Sequence, residues 1–144
     1  MDYVISVENV FLTDLKVHFG KGGKLIAIES DKTIPFPIKR IYYIYNVEDG
    51  QRRGFHSHKK LNQILICVSG SVKICVKSPK YNKDILLDNP NKGLYIGNMV
   101  WREMYDFTED AVLLVLASEY YNPDDYIHSY DIYEKYALDY FSSI

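Results

Sequence analysis

GQRRGFHSHKKLNQILICVSG, residues Gly50 to Gly70 of the 144-residue chain, sets two histidines two positions apart, a glutamine five positions further on, and a glycine at either end. Residues two apart on a strand project to one face, so His56 and His58 point together, and in a closed barrel that face can be the interior. Gly50 and Gly70 are read as the turns on either side. A two-residue turn at Ser69-Gly70 pairs residue 67 with residue 72 and puts Cys67 and Cys75 on opposite faces of a hairpin, a poor geometry for a disulfide. Two buried, reduced thiols follow.

Outward from this stretch, the text breaks into short β-rich segments separated by turn residues. Strands are expected at Lys24–Glu29, Arg40–Val47, Gly54–His58, Gln63–Val68, Ser71–Lys77, Asp84–Leu87, Gly93–Ile96, Trp101–Tyr105 and Ala111–Ser118. Turn-tolerant residues punctuate them at Gly20-Gly23, Asp49-Gly50, Ser78-Pro79, Asn89-Pro90, Gly97-Asn98 and Glu109-Asp110. After Asn122-Pro123 the period changes: Tyr130, Tyr133, Tyr136 or Ala137, and Tyr140 recur at helical spacing, so a short C-terminal helix should lay an aromatic stripe on the barrel. The expectation is one all-β domain spanning residues 1–144.

Composition removes several function classes. The net charge of -2 argues against a surface dedicated to nucleic acid or another polyanion. The opening MDYVISVENV lacks the basic start of a secretory signal, and the longest apolar run, Ala111 to Ala117, is far shorter than a membrane span. A cytoplasmic protein with no membrane partner is expected.

The spacing from Gly50 to Gly70 resembles the first sequence motif of the cupin superfamily, with Gln63 where metal-binding cupins have Glu. That implies a double-stranded β-helix, the jelly-roll barrel. Counted from Gly93, the second cupin motif puts its ligand histidine at position 104, where this chain has Met104. Gln63 offers a neutral amide, and His18 and His128 lie on segments that the motif does not bring to the pair. The reading is a site with no metal ligands and no cofactor, in which two imidazoles, whose unperturbed pKa lies near physiological pH, move protons.

Three longer segments, PFPIKRIYYIYNV, RRGFHSHKKLNQILICVSGSVKI and VWREMYDFTEDAVLLVLASEYYNPDDYI, resemble the dTDP-4-keto-6-deoxyglucose 3,4-ketoisomerases, the WxcM-like sugar isomerases of deoxysugar biosynthesis. The similarity runs from about Lys24 to about Tyr133. It implies a strand-swapped homodimer, a dTDP-linked 4-keto-6-deoxy sugar in each barrel, and a product used for surface polysaccharide. The family's histidine pair falls on His56 and His58 and its tyrosine on Tyr42. Ser57 stands where the family has alanine, and Gly97-Asn98-Met99 replaces a proline-rich approach to Trp101.

Strand alternation extends the site. If Met104 points inward, so does Arg102, while Trp101 and Glu103 face away; Arg40 shares a face with Tyr42. Arg53 and Lys60 flank the histidine strand. The expected catalytic set is His56 as base, His58 orienting it or shuttling its proton, and Tyr42 as acid or donor to the sugar oxygens; Arg40, Arg53, Lys60, Gln63 and Arg102 are the substrate-binding set. Trp101 is read as packing or a dimer contact. The rivals are a nucleotide-sugar epimerase of the same barrel type and a non-catalytic sugar-binding cupin. Galacto and gluco products are equally compatible with these residues.

Overall fold

A computed structural model describes residues 2–142. In chain order the strands are β1 (Asp2–Val4), β2 (Val10–Asp14), β3 (His18–Gly20), β4 (Gly23–Leu25), β5 (Arg40–Tyr45), β6 (Arg53–His58), β7 (Gln63–Ser69), β8 (Val72–Lys77), β9 (Asn82–Leu87), β10 (Lys92–Ile96), β11 (Trp101–Tyr105), β12 (Val112–Ala117) and β13 (Tyr126–Ile127), with helix α1 at Tyr130–Ser142. One antiparallel sheet runs β1-β2-β10-β7-β12-β5, and a second runs β13-β6-β11-β8-β9. Their inner faces share one core, to which Leu65 and Cys67 of β7, Ile74 and Val76 of β8, Leu94 of β10 and Leu113 and Val115 of β12 contribute. This is the expected all-β jelly-roll barrel.

The hairpin expected at Ser69-Gly70 does not form. β7 pairs with β10 and β12, whereas β8 pairs with β11 and β9, so the chain crosses here from one sheet to the other. Gly70 makes the crossing with φ +65°, and a Cβ on it would fall 2.3 Å from Thr108 Oγ1. Only glycine combines that backbone with that approach. Cys67 and Cys75 therefore lie in different sheets; both are buried free thiols. The strand expected at Lys24–Glu29 ends at Leu25, and β1, β2, β3 and β13 had no counterpart in the sequence reading.

Each outer face needs its own cover. On the five-stranded sheet, α1 buries Tyr133 and Ala137 against Met99, Trp101 and Ile127. The Tyr133 hydroxyl lies 3.0 Å from the carbonyls of Lys77 and Met99, and Ser129 caps the helix start through the Ile132 amide. The tyrosine stripe is packing, as its period implied, with Ala137 rather than the exposed Tyr136 facing inward. On the six-stranded sheet, Ile34 and Phe36 from the extended segment before β5 pack on Ile64, Ile66 and Leu116. That cover is partial: Ile41, Tyr43 and Tyr45 of the edge strand β5 remain 59%, 62% and 59% exposed.

Candidate active site

At one end of the barrel, between β5 and β6, a cavity of about 280 Å³ is lined by Arg40, Tyr42 and Ile44 on one side and Arg53, Gly54 and His56 on the other, with Met104 and Tyr126 completing it. Alternation along β5 delivers Arg40 and Tyr42 to the same wall, as expected. Arg53 and His56 are three apart and should face opposite ways. A bulge resolves this: Arg102 pairs with His56 and Glu103 with Gly54, so Phe55 is left out of the ladder. Gly54 and Phe55 both take positive φ, +91° and 56°, and the strand resumes with Arg53 and His56 on the cavity side.

His58 sits behind His56, fully buried, with ring centroids 4.8 Å apart and the planes nearly perpendicular. Tyr126 packs against both rings, at 5.0 Å from His56 and 4.4 Å from His58. Beneath them Arg102 is fully buried with each of its nitrogens hydrogen-bonded: Nη1 donates to Gln63 Oε1 at 2.6 Å, while Nε and Nη2 donate to the Val100 carbonyl. Because a guanidinium can only donate, Gln63 must turn its oxygen to Arg102 and its amide N–H outward. That N–H donates to the Tyr42 hydroxyl at 3.0 Å. The Tyr42 oxygen is thus an acceptor towards Gln63, which leaves its own proton for whatever occupies the cavity.

The same arrangement fixes charge. Burial first, and the Arg102 guanidinium second, push the His56 imidazole down to about 4; a backbone hydrogen bond at Gly54 opposes this without reversing it. Burial and Arg102 hold His58 below the ordinary imidazole range too. Both rings are neutral at pH 7, the state that accepts a proton. Burial also keeps the Tyr42 hydroxyl above the usual phenol range, so it stays protonated. Arg102 falls only to about 10 and remains a cation. Arg40 presents Nε and Nη2 without a protein partner among the described residues, its guanidinium 5.2 Å from the Tyr42 ring and 5.6 Å from that of Tyr121.

Seven of the eight residues chosen from sequence converge here. Lys60 does not: it is exposed in the turn after β6, where its amide is bound by Asp125, and it lines a separate depression with Tyr120, Tyr121 and Asn122. Lysine in a strand-end turn points where the turn directs it, and two residues beyond His58 the inward alternation has ended. A second correction concerns His128, expected away from the pair. β13 runs antiparallel to β6, Tyr126 opposite His58 and Ile127 opposite Ser57, which carries His128 to 6.2 Å from the His56 ring, stacked on Tyr126. Among the described residues no three His, Cys, Asp or Glu side chains converge as metal ligands, and Met104, where the second cupin motif has a histidine, lines the cavity. Trp101 faces outward under α1, edge-on to Tyr130, and its indole donates to Glu103. The Gly97-Asn98-Met99 loop is held by Asn9, Asn62 and the Lys59 carbonyl, and Met99 N donates to the His58 carbonyl at 2.7 Å.

Residues 8–138 match the family described as WxcM-like, C-terminal. The chain belongs to this family. A TDP-4-oxo-6-deoxy-α-D-glucose-3,4-oxoisomerase of Aneurinibacillus thermoaerophilus is 50% identical over 79% of this chain and 82% of its own. The crystal structure of QdtA, a sugar 3,4-ketoisomerase from Thermoanaerobacterium thermosaccharolyticum in complex with TDP, is 55% identical and superposes with TM-score 0.90 over 93% of this chain and 98% of that one. A second solved structure, that of the TDP-quinovose 3,4-ketoisomerase WlaRB of Campylobacter jejuni, is 43% identical with TM-score 0.86 over 90% of this chain and 99% of that one. In this WxcM-like chain, the residues found from sequence are those announced by a strand period or the histidine motif. Tyr126, Asp125 and His128 were missed because β13 is two residues long and pairs with β6 from far along the chain.

Proposed function

We propose that this chain is a TDP-sugar 3,4-ketoisomerase that converts TDP-4-keto-6-deoxyglucose to the 3-keto-6-deoxyhexose by proton transfer. The observation that carries the reading is a neutral imidazole, His56, lining a cavity opposite a tyrosine whose proton is left free by the Gln63 and Arg102 hydrogen bonds. His56 removes the proton on carbon 3, whose electron pair becomes the carbon 3–carbon 4 double bond while charge moves to oxygen 4. Tyr42 donates to that oxygen, and the buried Arg102 charge favours the enediolate from below. Carbon 4 then takes up a proton as oxygen 3 gives up its own, and no outside oxidant is needed. Arg40 and Arg53, two cations lining the cavity, suit the diphosphate.

The whole chain serves this one reaction, and the reading puts it in the cytoplasm, where two unpaired thiols stay reduced. It also includes a homodimer formed by strand exchange. In its favour, β5 is an edge strand with an apolar outer face, and the β3–β4 hairpin stands apart from both sheets with Phe19 78% exposed. A groove of about 490 Å³, lined by Phe19, Ile26, Ile28, Ile66 and Leu114, lies on the same side. The deciding experiment incubates the protein with dTDP-4-keto-6-deoxyglucose and traps the product with a 3-aminotransferase. Formation of the 3-amino sugar supports the reading, and absence of conversion overturns it.

A further inference from the structure

We propose that Asp125 is a positioning residue that holds His58 as its Nδ1–H tautomer and leaves Nε2 as the accepting nitrogen. The inference rests on the reading of His56 and His58 as the proton-transfer pair. It starts from an anomaly: His58 is fully buried, yet neither ring nitrogen has a hydrogen-bond partner among the described residues. Asp125 Oδ2 lies 3.4 Å from Nδ1, within ion-pair distance but not aligned as a hydrogen bond. Buried imidazole nitrogens are rarely left unpaired, and this carboxylate oxygen is the acceptor beside Nδ1.

The carboxylate is fixed before the imidazole meets it. Asn122 caps the turn Pro123–Asp125 by accepting from the Asp124 amide, and the Asp125 carbonyl accepts from Lys59 N. Its side-chain oxygens then take the next two amides of the β6–β7 turn, Oδ1 from Lys60 N at 2.9 Å and Oδ2 from Leu61 N at 3.3 Å. A carboxylate has about four lone-pair sites and no donor of its own, so with two amides bound it can still take a further donor but offers nothing to an acceptor. The opposite tautomer would set the Nδ1 lone pair against a carboxylate oxygen. Burial and the Arg102 charge keep His58 neutral, so exactly one nitrogen carries hydrogen and the neighbour of the other decides which. An accepting Nε2 on a ring packed against His56 is what lets His58 draw off and return the proton that His56 carries.

The test is two-bond ¹H–¹⁵N spectroscopy of histidine-labelled protein, with His58→Asn assigning the resonance. The expected result is the Nδ1–H form at His58 in the unsubstituted protein and its loss in Asp125→Asn. With dTDP-4-keto-6-deoxyglucose, Asp125→Asn should lower kcat about 10²-fold with KM changed only a few-fold, since a wrong tautomer removes acid–base function without removing binding. In a His58→Asn background the same substitution should cost nothing further. An Nε2–H tautomer at His58 in the unsubstituted protein overturns the inference, whether or not Asp125→Asn folds. So does an equal loss of kcat in both backgrounds, the mark of a carboxylate that only braces residues 59–61. Absence of turnover by the unsubstituted protein would instead sink the isomerase reading, leaving the tautomer result to stand alone.

Discussion

Between the two sheets, the half of the barrel built on Val72, Ile74, Val76, Leu94, Leu113 and Val115 is aliphatic packing, while the half around β6 buries His58, Gln63 and Arg102 to the same depth. The difference lies in what burial does. Removing apolar area from water stabilises the fold at roughly 25 cal/mol per Å². Taking a guanidinium out of water costs several kcal/mol, on the order estimated for any buried ion, and Arg102 meets an amide and a carbonyl there rather than a carboxylate. A cation kept with no carboxylate in direct contact beside two neutral imidazoles is a poor way to stabilise a barrel and a good way to stabilise an anion that exists only during reaction.

Two substitutions test this division most severely. His56→Asn should lower kcat by about 10³-fold, the middle of the range for a lost general base, with the melting temperature almost unchanged; activity assays and thermal unfolding check it. Leu113→Ala, at a fully buried core position, should do the reverse: about 2–5 kcal/mol of stability lost in urea titration, with kcat nearly intact below the unfolding transition. If either variant moved both quantities together, the barrel would not be divided as described.

A pH series probes the boundary. His56 titrates near 4 in the folded chain and near 6.5 unfolded, so the unfolded state binds the proton more readily. Stability is therefore complete above pH 6.5 and falls as pH drops towards 4, by on the order of 3 kcal/mol from this residue, with His58 acting in the same direction. Replacing Arg102 by Met removes the charge that lowers both values. The His56 titration, followed by NMR, should then move upward towards 6.5, and the acid loss of stability should shrink. An unmoved titration would mean that burial alone sets it.

How much of this was legible in the sequence depends on the distance over which each signal acts. The i, i+2 rule placed His56 with His58, Arg40 with Tyr42 and Arg102 with Met104, because alternation within one strand is local. It could not foresee the bulge at Gly54-Phe55 that brings Arg53 to the cavity, since Gly54 becomes necessary only when Arg102 O sits 2.9 Å from where its Cβ would be. Likewise Ser69-Gly70 is a correct signal for a turn, but whether the next strand joins the same sheet is settled by pairing with β10 and β11, far along the chain. The histidine motif carried the site; the partners that complete it arrive with β13.

Ser57 offers the finest discrimination between buried polarity that serves the reaction and buried polarity that does not. It lies between the two histidines but points the other way, opposite Ile127, fully buried, and its hydroxyl has no protein partner among the described residues. The hydroxyl loses its hydration without gaining a bond, a cost of about 1–3 kcal/mol when nothing replaces it. Alanine keeps the strand and removes the group, leaving at most a small void. Ser57→Ala should therefore raise stability by up to about 1 kcal/mol in thermal or urea unfolding while leaving kcat and KM as they are. A destabilised Ser57→Ala protein would mean that a bound water satisfies the hydroxyl; a slower one would mean that the outer face of β6 reaches the chemistry through His56 and His58.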